Sequence, residues 1–205
     1  MYFYQPSQGH GLPHDPLNAI VGPRPIAGLP PAILKDGLTW RRIASSTALT
    51  TIRHYRFRQH GLERQRAQYC RDREFVWNLT TRELASAMNE TSASLPHGED
   101  EFLRAGLTKA ESRVVKVPLV AQSPVNFECR LSQCIQLTAA NGDSIDTWLV
   151  LGEVVGIHID ESLLQDGIYQ TAKAQPVLRA GGPTAYFAIG EDQRFDLVRP
   201  DARKG

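Results

Sequence analysis

Two long stretches joined by Asn141-Gly142 constrain this chain more than anything else in it. Val125, Phe127, Cys129 and Leu131 alternate with Asn126, Glu128, Arg130 and Ser132, and the stretch continues to Leu137. A period of two is that of a strand with one face on a core and the other in water. Asn-Gly is the strongest short signal for a tight hairpin turn. Asp146 to Ile159 is therefore expected to return antiparallel, with Gly152 and Gly156 marking bulges or close backbone approach.

Shorter elements flank this hairpin. Glu74-Phe-Val-Trp-Asn-Leu79 is an apolar run of strand type. Thr80 or Thr81 can cap a helix through Ala87–Asn89, with Leu84, Ala85 and Met88 on one face. Asp100 can cap a second helix, Glu101–Ala105, stopped by Gly106. Val114 to Val120 is β-like, with Pro118 as an edge or break. Ser162 to Tyr169 reads as a short helix or turn. Arg179-Ala-Gly-Gly182 is a glycine loop entering a last strand, Thr184 to Ile189. Several antiparallel strands with few helices predict a mainly β fold, a β-barrel with helical insertions. With 205 residues, one domain over 1–190 and a polar tail over 191–205 is expected.

Several chemistries are excluded or weak. No apolar run approaches the length that crosses a bilayer, so no membrane partner is expected. Met1 to Pro25 lacks the basic and apolar regions of a secretory signal. Cys70, Cys129 and Cys134 form no disulfide framework, which fits a reducing cytoplasm. Cys129 and Cys134 sit at odd spacing on one strand, expected on opposite faces as packing residues. His10 and His14 lie in a Gly/Pro loop rather than on a helix, so no metal site is expected. No phosphate-loop, zinc-protease, nucleophile-elbow or dinucleotide glycine motif occurs.

Residues 27–72 break the pattern. They hold nine Lys/Arg against three Asp/Glu, whereas the rest of the chain holds fourteen against nineteen. Arg53-His-Tyr-Arg-Phe-Arg58, with Arg64, Arg66 and Arg71 beyond, has the composition of a nucleic-acid arm. A solvated basic helix is the plainer alternative. Neither is adopted, because a third explanation accounts for more of the segment, and nucleic acid is not the expected partner.

Arg24-Pro-Ile26, Glu74-Phe-Val-Trp-Asn78, Leu95-Pro-His-Gly98 with Asp100-Glu-Phe102, Gly152-Glu-Val-Val155 with His158, and Arg179-Ala-Gly-Gly182 with Tyr186 occur in an order that resembles the flavin reductase-like family. The likeness spans residues 1–26 and 73–190 and implies an FMN-binding split barrel. Between its two halves the family has a segment like N-L-A-P-Y-S-F-F-N and a turn like S-T-G-W-K-D-S, both missing as written. Back-translated and read from another base of each codon, Leu38–Thr47 yields the first and His54–Arg71 the second. Single-base losses near residues 27, 53 and 72 would produce this pattern. The segment is therefore read as out of frame, with damage to the flavin site and a poorly stable chain as the consequence.

The resemblance implies FMN as cofactor, NAD(P)H as electron donor, a small-molecule or flavin acceptor, and a homodimer with the flavin near the subunit interface. Candidate cofactor-binding residues are Arg24, Asn78, Arg179, Gly181, Gly182 and Tyr186. An Arg suits a phosphate or a flavin pyrimidine edge, glycines admit close backbone approach, and a Tyr can border a ring system. Each also has a plainer role: Arg24 at a surface, Asn78 as a helix cap, Arg179 to Tyr186 as a turn beside a core Tyr. His158 is expected to be a satisfied structural histidine, and His97, Asp100 and Glu101 fit helix capping as well as a family loop. No side chain stands out as a general acid or base, which suits chemistry carried by a flavin. A remnant barrel that binds FMN without turnover is the alternative.

Overall fold

The computed structural model describes residues 73–91, 100–180 and 184–198, and the backbone of 24–25, 27–29, 41–43, 47–49 and 54–60. The elements in chain order are β1 (Arg24–Pro25), β2 (Ala27–Leu29), β3 (Arg41–Ile43), β4 (Thr47–Leu49), β5 (His54–His60) and β6 (Glu74–Leu79). The helices α1 (Ala85–Glu90) and α2 (Glu101–Arg104) follow, then β7 (Lys109–Ala110), β8 (Leu119–Val120), β9 (Val125–Thr138) and β10 (Ser144–Ile159). A small hairpin, β11 (Leu164–Gln165) with β12 (Ile168–Tyr169), leads to β13 (Val177–Arg179) and β14 (Tyr186–Ala188). Seven strands form one sheet in the order β3-β2-β6-β9-β10-β5-β4, and a second sheet runs β1-β13-β14. β3 lies against β5, so the large sheet curls back on itself.

The hairpin expected from Asn141-Gly142 is the centre of the molecule. β9 and β10 pair antiparallel from Ser144–Thr138 to Ile159–Val125. Phe75, Trp77, Val125, Cys129, Val150 and Val154 fill the concave side, and the Trp77 and Phe127 rings stack at 4.8 Å. Each such side chain taken from water contributes about 1.5–3 kcal/mol. Both expected irregularities are present. Leu151 pairs with Gln133 but Gly152 with Leu131, so Ser132 is an extra residue on β9. Val154 pairs with Cys129 but Gly156 with Glu128, so Val155 is an extra residue on β10.

The first bulge reverses one expectation. Odd spacing sets Cys129 and Cys134 on opposite faces of a regular strand, but the extra residue between them brings both to the barrel core. Gly152 marks close approach: a Cβ built there would lie 2.2 Å from Cζ of Phe75, itself wholly buried. Gly152→Ala is expected to cost about 2 kcal/mol through overpacking. Urea denaturation checks this, and an unchanged midpoint would mean Phe75 yields freely.

Local signals are mostly honoured. Thr81 Oγ1 accepts the Leu84 amide at 3.3 Å at the start of α1, and Met88 is its buried residue. Asp100 Oδ1 accepts the Phe102 amide at 3.0 Å, so Asp100 caps α2 as expected. Two expectations fail. Ser162 to Tyr169 holds the end of a single 3-10 turn, Glu161–Leu163, and then the β11–β12 hairpin. Asp166 and Gly167 both have positive φ, which is the turn a two-residue hairpin requires. Val114 to Val120 contributes only Leu119–Val120 as strand, because the preceding amides are bonded to carboxylates instead. β14 is shorter than the expected Thr184–Ile189. The backbone of His54–His60 is a strand between β10 and β4, not a solvated helix. Among the described residues no helix is long and apolar enough to cross a membrane.

Candidate functional site

Three of the candidate residues form one row. Arg24 is opposite Arg179 across β1–β13, and Arg179 is opposite Tyr186 across β13–β14. The Arg179 guanidinium lies 4.9 Å from the Tyr186 ring centroid, and its Nη1 donates to the Ala185 carbonyl at 2.6 Å. A cation over an aromatic face is attracted to its quadrupole. The Ala180 amide donates to the same Ala185 carbonyl at 3.2 Å, which closes the base of the loop. Gly181 and Gly182 lie outside the described residues.

Beside this row is a groove of about 330 Å³ lined by Arg82, Met88, Asn89, Val177, Thr184 and Tyr186, among others. Its floor is the small apolar cluster of Met88 and Val177 packed by Ala85 and Tyr186. Arg82, Asn89 and Thr184 stand exposed at its rim. With Tyr186 and Phe187 both in its lining, the groove combines an apolar floor, aromatic walls and a few rim donors, the usual composition of a small-molecule site.

Asn78 is elsewhere and turned inward. It is wholly buried, and its Oδ1 accepts from the Val120 amide at 2.9 Å and from Asn126 Nδ2 at 2.7 Å. It ties β6 to β8 and β9, and it is Thr81 that bonds the Leu84 amide in the turn leading into the next helix. The structure does not bring it together with the Arg24–Arg179–Tyr186 row through any of these bonds.

Two polar residues that the alternation assigned to solvent prove to be buried, while Arg130 and Ser132 stay exposed. Asn126 and Glu128 are buried on the convex face of the sheet. Glu128 Oε1 accepts from the Arg113 amide at 2.9 Å and meets His158 Nε2 at 2.6 Å. Its Oε2 accepts from the Val114 and Val115 amides, each at 2.7 Å. Burial alone would raise the Glu128 pKa, but these four bonds overcome it and hold the carboxyl at about 2. His158 is thus a satisfied structural histidine, as expected. One sequence signal could have exposed the arrangement: counting back from Asn141-Gly142 sets Glu128 near Gly156, which leaves room for a folded-over side chain. Cys129 is pushed up to about 12 by burial, with the Glu128 charge adding to the effect, so its thiol is inert at neutral pH. Among the described residues no group of His, Cys, Asp and Glu could hold a metal.

Comparison with known proteins accords with this architecture. An uncharacterized protein of Halalkalibacterium halodurans is 35% identical over 127 residues, 62% of this chain and 59% of that protein. The chain spans about three fifths of the length of the curated relatives it matches. Nitrilotriacetate monooxygenase component B from Bacillus cereus superposes with a TM-score of 0.79 at 26% identity, covering 88% of this chain and 90% of that one. A putative flavin reductase with a split barrel domain from Shewanella frigidimarina superposes with a TM-score of 0.76 at 19% identity, covering 89% and 90%. The fold is thus the split barrel. The flavin reductase like domain profile matches residues 63–178, beginning inside the atypical segment. With more than half its length matched, this chain belongs to the flavin reductase-like family.

Proposed function

We propose that this protein binds FMN along the Arg24–Arg179–Tyr186 row and the adjoining groove, and passes electrons from NAD(P)H to a small-molecule or flavin acceptor. One observation carries the reading. Arg24 and Arg179 occupy directly opposed positions on neighbouring strands. An anionic phosphate beside these two arginine positions would gain charge-assisted hydrogen bonds. The groove's apolar floor and Tyr186 suit a flat ring system, and its exposed rim residues suit polar ring edges. The donor set therefore fits the cofactor.

Bound FMN supplies hydride and electron chemistry that no side chain here provides. The chain's own residues bind and orient. Arg179 is held against Tyr186 by its bond to Ala185, so the guanidinium is set before a ligand arrives. Gly181 and Gly182 belong to the proposed cradle as the stretch between the paired ends of β13 and β14. Asn78 acts from behind, by fixing β6 against β8 and β9. A homodimer in the cytoplasm completes the proposal.

FMN titration of the chain with residues 27–72 restored to frame, followed by flavin fluorescence, tests it. Arg179→Ala is expected to weaken FMN binding about tenfold to a hundredfold, the loss of one charge-assisted contact. Unchanged affinity would remove the row from the site. A second reading, a barrel that binds FMN without turnover, is favoured by the composition of residues 27–72. NAD(P)H oxidation that depends on added FMN separates the two.

A further inference from the structure

The eight residues from Glu111 to Pro118 form a strap over the convex face of the sheet, and they are neither helix nor strand. Both ends leave from one place, because β7 and β8 pair antiparallel, Lys109 with Val120 and Ala110 with Leu119. That base is anchored: the Val120 amide donates to Asn78, and Asn126 Nδ2 reaches the Val120 carbonyl at 3.4 Å. A loop whose ends meet at a fixed hinge can lift without pulling on the rest of the chain.

Among the described residues, four amide bonds and a small apolar cluster hold the strap down. Four consecutive amides, of Arg113 to Lys116, are accepted by two carboxylates of the sheet. Glu128 takes the first three, and Glu74 Oε2 takes Lys116 at 3.0 Å. Val115 and Val117 pack on Val76 with Leu119, and Val155 borders the cluster. Ser112 Oγ bonds the Val117 carbonyl within the strap itself, so the strap keeps its own shape. Glu111, Arg113, Val114 and Lys116 face solvent. None of the β9–β10 ladder bonds passes through the strap. A groove of about 390 Å³ is built almost wholly from strap and hinge residues, including Lys109, Ser112, Val115 and Lys116.

We infer that residues 111–118 are a hinged flap, latched by Glu128 and Glu74, that lifts off the sheet as a unit while the barrel stays folded. Lifting dismantles the 390 Å³ groove and bares Val76 and Val155, giving the protein a second, conditional apolar surface. His158 stays bonded to Glu128 from the sheet side, so the latch carboxylate keeps one partner when the flap is up.

Amide hydrogen exchange on the full chain decides the matter. In the unmodified protein, the amides of 113–116 are expected to exchange through an opening with weak urea dependence, and those of β9 and β10 through one with steep dependence. Glu128→Gln is expected to speed the flap amides about tenfold, because it removes the charge from three of the four latching bonds. Val150→Ala loosens the barrel core, to which the flap does not belong. It is expected to speed the β9 and β10 amides about tenfold and leave the flap amides unchanged. The inference is overturned if flap amides accelerate in step with the ladder in Val150→Ala, or if Glu128→Gln leaves them unchanged. Should either variant fail to fold, equal urea dependence for flap and ladder in the unmodified protein overturns it.

Discussion

Glu128→Ala is expected to lower folding stability by about 3 kcal/mol, at the lower end of what removing one partner of a buried charged pair costs. The side chain is fully buried and bonded to three backbone amides and His158. Truncation leaves those donors without their acceptor, and each recovers only what water can reach. The value sits at the lower end because the 111–118 flap can lift and rehydrate its amides. Urea denaturation of the variant against the parent reads the loss directly, and a change below about 1 kcal/mol would mean the bonds contribute no more than exposed ones.

Acid titration gives an independent reading of the same group. Glu128 titrates near 2 when folded, against an ordinary value of 4.5, so its folded pKa is depressed. The corresponding stability is present above about pH 4.5 and disappears as pH falls through about 2. The gap amounts to about 3 kcal/mol at roughly 1.4 kcal/mol per pH unit. Glu128→Gln should flatten stability in that window. If the substituted protein kept the parent's acid slope, the slope would belong to other carboxylates.

The second large effect concerns the flavin. Purified as written, mixed with FMN and freed of excess, the chain is expected to retain no visible flavin spectrum. The chain with the frame restored between residues 27 and 72 is expected to retain it. The physical reason is composition: that stretch holds nine of the chain's 23 basic residues, at positions where a barrel needs apolar alternation and a cofactor needs small hydroxyl residues. The register makes it concrete. Arg56 and Arg58 are opposite Leu151 and Leu149 on β10, where the restored reading puts Gly and Ala. A retained spectrum in the chain as written would sink the frame argument and leave the site proposal standing. No retention in either chain would sink the site proposal.

The hairpin, its turn and both glycine irregularities were legible because each rests on a local rule: a period of two, an Asn-Gly pair, a residue without Cβ. So was the cap at Asp100, which acts on an amide two positions away; the Thr81 hydroxyl instead bonds the Leu84 amide in the turn before its helix, which has no side-chain cap. What was not legible depends on residues far apart. Glu128 has the alternation of a solvent residue, and only the arrival of amides 13 to 15 positions upstream makes it core. Asn78 looked available for a ligand because its occupants, Val120 and Asn126, are 42 and 48 positions away. The Arg179–Tyr186 pairing was partly legible, since seven positions around two glycines suit a short hairpin. That Arg24 completes the row required the sheet order.

The two bulges in the central hairpin also have a meaning for insertions and deletions. Ser132 is extra on one strand and Val155 on the other, and beyond both the pairing resumes the same offset that it had before either. Between Trp148 and Ile159 each cancels the other, so the stretch from Leu131 to Cys129 and Gly152 to Val154 runs one step out of phase there. Losing Ser132 alone would leave the hairpin ends out of step and turn one arm inside out. Losing Ser132 and Val155 together would leave Trp148 with Gln136 and Ile157 with Phe127 still face to face. Length changes in these two strands should therefore survive only as matched pairs, even though the positions lie 23 residues apart in the chain.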